Sequence, residues 1–213
     1  MQHNRRRPAW RPVALAAVGG SVLVAMGVGV WATLTATAAN VTPEQISSGT
    51  LKLALGNNGA GFSQSITNLA PGDTANRYVT LTNGGSLDAQ ALTMQVAATG
   101  STTLVTDGAT TRALRVTVSQ CSGAWTPATG ACNGDKAVLL NATPLSGLAS
   151  AASLLPGAIT ASGVENLQIS VQLPDQNETT VNGALPANTV QGQSVNLTYT
   201  FSETQRSAVT TNS

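Results

Sequence analysis

"SVNLTYTFSE", residues 194–203, sets Val195, Leu197, Tyr199 and Phe201 against Asn196, Thr198, Thr200 and Ser202. Successive side chains of an extended chain point to opposite faces, so this period of two predicts an antiparallel strand with one face on a core and one in water. The same pattern runs through "TLKLAL" (Leu51, Leu53, Leu55), "ALRVTVSQ" (Leu114, Val116, Val118) and "ENLQISVQLP" (Leu167, Ile169, Val171, Leu173). Between Leu87 and Val96 the apolar phase moves from odd positions (Leu87, Ala89, Ala91) to even ones (Leu92, Met94, Val96). A β-bulge or a strand changing sheets explains such a slip.

Turn residues divide these runs. "NLAPGD" (68–73) and "TNGGS" (82–86) bracket the strand "TANRYVTLT", the first through Pro71-Gly72 and the second through hairpin-forming Asn-Gly and Gly-Gly pairs. "LLPGAI" (154–159) repeats the Pro-Gly device, and "PLSGLASAASLL" (144–155) reads as a short helix or, because of Gly147, a loop or single turn. The stretch from Leu173 to Ser194 is a long excursion with room for one short helix. Seven to nine strands at this spacing predict an all-β antiparallel β-sandwich rather than an open sheet, with long loops and one or two short helices.

The 213 residues carry a formal charge of +1, 9% charged and 3% aromatic residues, which excludes a basic nucleic-acid surface and an acidic solvating tail. Arg5, Arg6, Arg7 and Arg11 precede the uncharged run Val13–Ala32, and from Thr33 onward six basic residues face nine acidic ones, a formal −3 that suits an exported domain. A bilayer needs about 20 apolar residues, so length alone does not separate a signal peptide from an anchor. Gly19, Gly20, Gly27 and Gly29 weaken a spanning helix, and Gly29 and Ala32 stand three apart in the manner of a cleavage site. Cleavage is therefore predicted, with an uncleaved anchor and twin-arginine export as alternatives.

Cys121 and Cys132, with ten residues between them, read as a disulfide in an oxidising compartment. Closing so short a loop is worth ~3 kcal/mol in the chain-entropy picture. The only histidine is His3, inside the segment expected to be removed, so the mature chain has neither a histidine triad nor an H-E-x-x-H zinc site. Acids are scattered singly: Asp107, Asp135, Asp175 and Glu178 read as solvated surface groups, Asp73 and Asp88 as turn residues. Lys52 and Lys136 are the only lysines; a Lys-Asn cross-link with an acid neighbour is the alternative to the reading of Lys52, alternating with inward leucines, as an exposed strand lysine. No catalytic, metal or cofactor residues are assigned.

Taken in order, the glycine-rich signal ending "VWA", then "SSGTLKLAL", "ITNLAPGDTANRYVTLTNGGSLDAQALTM" and "VENLQISVQLP…VQGQSVNLTYTFSETQ" resemble the TasA/camelysin family of bacterial surface and biofilm-matrix proteins, up to Gln205. The resemblance implies a jelly-roll-like sandwich, processing by a SipW-type signal peptidase and assembly into extracellular fibres. It places the cut after Ala32, with Thr33 as the new N-terminus. The sequence departs from the family in reading "TLTATAAN" after that point, where an aromatic and an acidic residue are usual, and in its cysteine pair and its "PDQNETTVNGALPANT" loop. Camelysin relatives are often labelled metalloendopeptidases, and no residue set here supports that label.

Fibre assembly in such proteins resembles donor-strand addition, in which the N-terminal segment of one subunit completes a sheet of the next. Here Leu34, Ala36 and Ala38 alternate with Thr33, Thr35 and Thr37, and Val41 supplies a second apolar anchor. The thirteen residues 33–45 reach ~43 Å at full extension. A disordered leader of small residues is the alternative. The expected organisation is a signal peptide (1–32), an N-terminal extended segment (33–45), a β-sandwich domain (46–206) and a flexible tail (207–213). The expected function is a secreted structural protein of the extracellular matrix or cell surface. Its partners would be further copies of itself and the signal peptidase, with no nucleic acid, and with the membrane met only through the uncleaved signal. A monomeric adhesion or binding module, and a camelysin-like surface metalloendopeptidase, are the alternative functions.

Overall fold

The computed structural model describes residues 47–59, 61–62, 66–106, 112–155 and 159–212. The signal segment, the Ala32–Thr33 junction and the donor residues Leu34, Ala36, Ala38 and Val41 lie outside the described residues. So do Asp107 and the Pro156-Gly157 turn.

The chain forms β1 (Leu53–Asn58), β2 (Thr74–Asn83), β3 (Ala89–Gly100), a one-turn helix α1 (Thr102–Val105), β4 (Arg115–Cys121), β5 (Trp125–Thr126), β6 (Ala131–Cys132) and β7 (Lys136–Pro144). A 3-10 turn (Leu145–Leu148), β8 (Ala152–Leu155), β9 (Val164–Gln172) and β10 (Val195–Gln205) complete it. One sheet has five strands in the order β1-β2-β9-β4-β7, the other three in the order β10-β3-β8, and β5 and β6 form a separate ribbon. Every pairing is antiparallel. Late strands lie beside early ones, β9 between β2 and β4 and β10 against β3, as in a jelly-roll-like sandwich.

The core is the predicted alternation made physical. Val79 and Leu81 of β2, Val116 and Val118 of β4, and Leu167, Ile169 and Val171 of β9 meet Leu92, Met94 and Val96 of β3, all essentially excluded from water. Leu145 and Leu148 of the 3-10 turn join the same cluster. The phase slip in β3 is a bulge: Ala91 pairs with Thr204 and Ala89 with Gln205, leaving Gln90 without an opposite residue.

"TNGGS" does not close a hairpin. Strands β2 and β3 lie in different sheets, so the turn carries the chain across the sandwich. Close approach, not a left-handed backbone, demands glycine there: a Cβ on Gly85 would run into the Thr50 carbonyl and the Leu51 Cα. Asn83 is fully buried; its amide donates to the Leu87 and Ile159 carbonyls, and its Oδ1 accepts from Gly85 N. "NLAPGD" behaves as expected, with Gly72 at φ +92° and Asp73 Oδ2 accepting from Ala70 N. Asp88 Oδ1 likewise accepts from Ala161 N.

The excursion from Leu173 to Ser194 has no helix. Within it Val181 is bridged to Ala184 across Asn182 and Gly183, both at positive φ, and two further turns follow at 187–188 and 191–192. Glu178, expected to be a solvated surface acid, instead holds this excursion: its carboxylate takes hydrogen bonds from Thr189 Oγ1 and Val190 N and pairs with Arg112 at 3.6 Å. Its side chain is only 3% exposed. A buried carboxylate persists when charge-assisted bonds replace its water, and the Thr and backbone donors twelve or fewer residues away were not readable as partners from the sequence.

Cys121 and Cys132 form a disulfide with Cα atoms 5.7 Å apart. It pins the β5–β6 ribbon onto the outer face of the larger sheet, where Tyr78 and Trp125 make a second small core with ring centroids 5.7 Å apart. Trp125 Nε1 donates to the Asn166 carbonyl, Gln168 Nε2 donates to the Tyr78 hydroxyl, and Lys136 Nζ lies 5.4 Å from the Trp125 ring centre.

Candidate assembly seam

The inner face of the sandwich is not covered equally along its width. On β10, Val195, Leu197, Tyr199 and Phe201 point inward in strict alternation, as the sequence predicts, yet all are only half-buried. On β1, Leu53 is half-buried and Leu55 is 46% exposed. Both are edge strands, and among the described residues nothing pairs with their outer edges. They face each other across the gap between the sheets: one cleft of about 390 Å³ is lined by Leu53, Leu55, Leu81, Tyr199, Thr200 and Phe201.

A larger cleft of about 1010 Å³ continues along β10 past Tyr199, between Phe62 and Leu69 on one side and Val190 and Leu197 on the other. The ring of Phe62 stands over the β10 row, stacked on Tyr199 at 4.4 Å between centroids and 14° between planes, and 6.5 Å from Phe201. Arg77 also lines this cleft. Its pairing with Ile169 puts it on the inner face of β2. Burial pushes the Tyr199 hydroxyl up to about 12, against the opposing pull of the Arg77 charge.

The seam ends in carboxylates. Glu203 continues the inward row of β10, and its two oxygens are covered without a hydrogen-bond partner among the described residues. Burial first, and the nearby Glu165 charge second, raise its pKa. Glu165 lies opposite Leu81 in the β2–β9 ladder and so shares the inner face. Burial raises its pKa too, while the hydrogen bond from Gln120 Nε2 pulls the other way. Nothing in the sequence marks Phe62, Arg77, Glu165 or Glu203 as functional. Only the β10 alternation, continued two residues to Glu203, offered a signal.

Of the residues singled out in the sequence, the structure brings Leu53, Leu55, Tyr199 and Phe201 together at this seam. Cys121 and Cys132 sit apart from it, on the outer face of the larger sheet. Among the described residues no three of His, Cys, Asp and Glu converge to hold a metal ion. Both cysteines are consumed by the disulfide, and histidine is confined to His3. This donor set does not fit zinc, which takes imidazole, thiolate or clustered carboxylate ligands. Among the described residues no helix is long and apolar enough to cross a membrane.

Residues 11–111 match the family model described as camelysin metallo-endopeptidase. The match runs from the basic N-terminal segment through β1, β2, β3 and α1. No curated protein matches the chain.

Proposed function

We propose, from the match of residues 11–111 to the camelysin family model, that this is an exported structural protein that polymerises by donor-strand addition. Signal cleavage after Ala32 frees Thr33, and the segment bearing Leu34, Ala36, Ala38 and Val41 enters the seam of a second copy. One observation carries the reading: β1, paired with β2 without a break, and β10, in register with β3 up to its last pair, are edge strands that leave an apolar row half-covered between them. An added strand would supply hydrogen-bond partners to an open edge and cover that row. Small Ala and Thr side chains suit a groove whose walls are already large, Leu53, Leu55, Tyr199 and Phe201 among them.

The protein would then be secreted, held at the cell surface or in the matrix, with further copies of itself as its main partner and a SipW-type signal peptidase as its processing enzyme. The peptidase activity in the family model's name is not part of this proposal, because among the described residues no donor set fits a zinc ion. Electron microscopy of the mature chain beginning at Thr33 should show filaments, and a chain lacking Thr33–Val41 should remain a folded monomer. Filaments that persist after that deletion overturn the proposal. A monomeric adhesin would instead bind surface glycans before and after the deletion alike.

A further inference from the structure

We infer that Phe62 obstructs the seam in the lone subunit and must leave Tyr199 before a donor strand can seat, so that this one ring sets the rate of assembly. The inference rests on the donor-strand reading above and adds to it the residue that regulates entry.

Both clefts reach Tyr199, the smaller toward Phe201 and the larger toward Leu197. Phe62 lines the larger cleft, stacked on Tyr199, with its ring centroid 6.5 Å from that of Phe201, which lines the smaller one. Inward residues two apart on a strand are separated by ~7 Å, so a single ring spans the step between these two β10 positions. A strand laid along the inward row of β10 therefore meets the ring of Phe62 partway along its path. The ring is not part of the closed core: it packs against the core from outside, next to Gly61 at φ +51°. Stacked aromatic pairs contribute modestly beyond the area they bury, which makes this contact strong enough to occupy the seam and weak enough to yield to a strand gaining both backbone bonds and apolar burial.

The test uses the mature chain from Thr33, seeded with preformed filaments and followed by light scattering. Phe62→Ala should elongate roughly three- to tenfold faster than the parent, the factor an aromatic pair lost from the resting subunit is worth, with unchanged filament morphology. Phe62→Trp gives a second readout: its emission should shift to the red as monomers join, while Trp125, buried in its separate small core, stays constant. Equal or slower elongation by Phe62→Ala, or a Phe62→Trp emission that does not move on assembly, overturns the inference. Should Phe62→Ala fail to fold, the Trp emission decides alone. The two proposals fail separately: filaments without Thr33–Val41 sink the donor-strand reading, whereas filaments that need that segment but ignore Phe62 sink only the obstruction.

Discussion

The larger sheet finishes in two different ways. At β7 the ladder with β4 is interrupted twice, between Val116 and Val118 and between Val118 and Ser119, so that β7 carries extra residues; Ala142 takes φ +38°, and the strand begins with Lys136 and ends with Pro144. Bulges, lysine and proline are the means by which sheet edges avoid pairing with other chains. At the opposite side β1 pairs with β2 over six residues without a break and has no charged residue or proline. Facing it, β10 keeps its register with β3 over ten successive residues and shifts only at its last pair. The β7 side is finished against company, and the β1–β10 side is left plain. Exposed apolar residues alone would not have told them apart, since Val138 on β7 is more exposed than Leu55 on β1.

Placing the same charge on each side tests this contrast most sharply. Leu55→Lys should abolish filament formation, because the ammonium would enter the seam with an incoming strand, and Val138→Lys should leave filaments unchanged. Both residues are about half-exposed or more, so each variant should keep its stability within ~0.5 kcal/mol. Filament loss in both, or in neither, removes the distinction between the edges.

A second test separates stability from assembly. Replacing Cys121 and Cys132 with serine releases the β5–β6 ribbon, which lies on the outer face of the larger sheet, opposite to the seam. Thermal unfolding should show a loss of ~3 kcal/mol, or roughly 6–12 °C in Tm for a domain of this size. Filaments should still form below that lowered Tm.

Smaller effects should follow from the carboxylates, with opposite signs. Desolvation alone would raise Glu178, but the hydrogen bonds from Thr189, Val190 and Gln191 and the Arg112 charge outweigh it and hold its pKa below the ordinary value. The folded chain therefore binds fewer protons there than the unfolded one, and the stabilisation is present above the unfolded pKa and fades as pH falls through the folded one. Glu178→Ala should cost about 1–3 kcal/mol at neutral pH, measured by denaturant unfolding, and should open the Leu173–Ser194 excursion to proteolysis. Glu203 lies on the other side of this comparison. Its raised pKa means that the folded state binds the extra proton, so stability should rise as pH is lowered from neutral toward the ordinary carboxylate range. Glu203→Gln should flatten that rise and slightly raise Tm at neutral pH, the smallest change of the four, while its filaments should form no more slowly.

The strands of the core were legible because burial on one face imposes a period of two that few other structures share. Leu114, Val116 and Val118, and the Leu167–Leu173 row, are buried as their spacing predicts. The β3 bulge was legible too, since an extra residue must invert the apolar phase. Less legible was where each turn leads: Asn-Gly-Gly favours reversal, but only the space between sheets decides whether the chain returns beside itself or crosses over. Burial of Glu178 escaped notice because its partners become neighbours only through folding. The seam itself was half visible. The sequence shows that Tyr199 and Phe201 face inward, but not that the opposite sheet ends at β1 and leaves them partly uncovered.

The Gly84-Gly85 crossover has one further consequence, mechanical in kind. Thr50 is knotted to it: Ser86 N and Leu87 N both donate to the Thr50 carbonyl, Thr50 N donates to Ser86 Oγ, and Gly84 N donates to the Lys52 carbonyl. This lies immediately before β1, between the N-terminal segment and the sandwich. A subunit pulled by that segment would take the load at Thr50 first, so tension along a chain of subunits would have to break this knot before it could begin to peel β1 from β2.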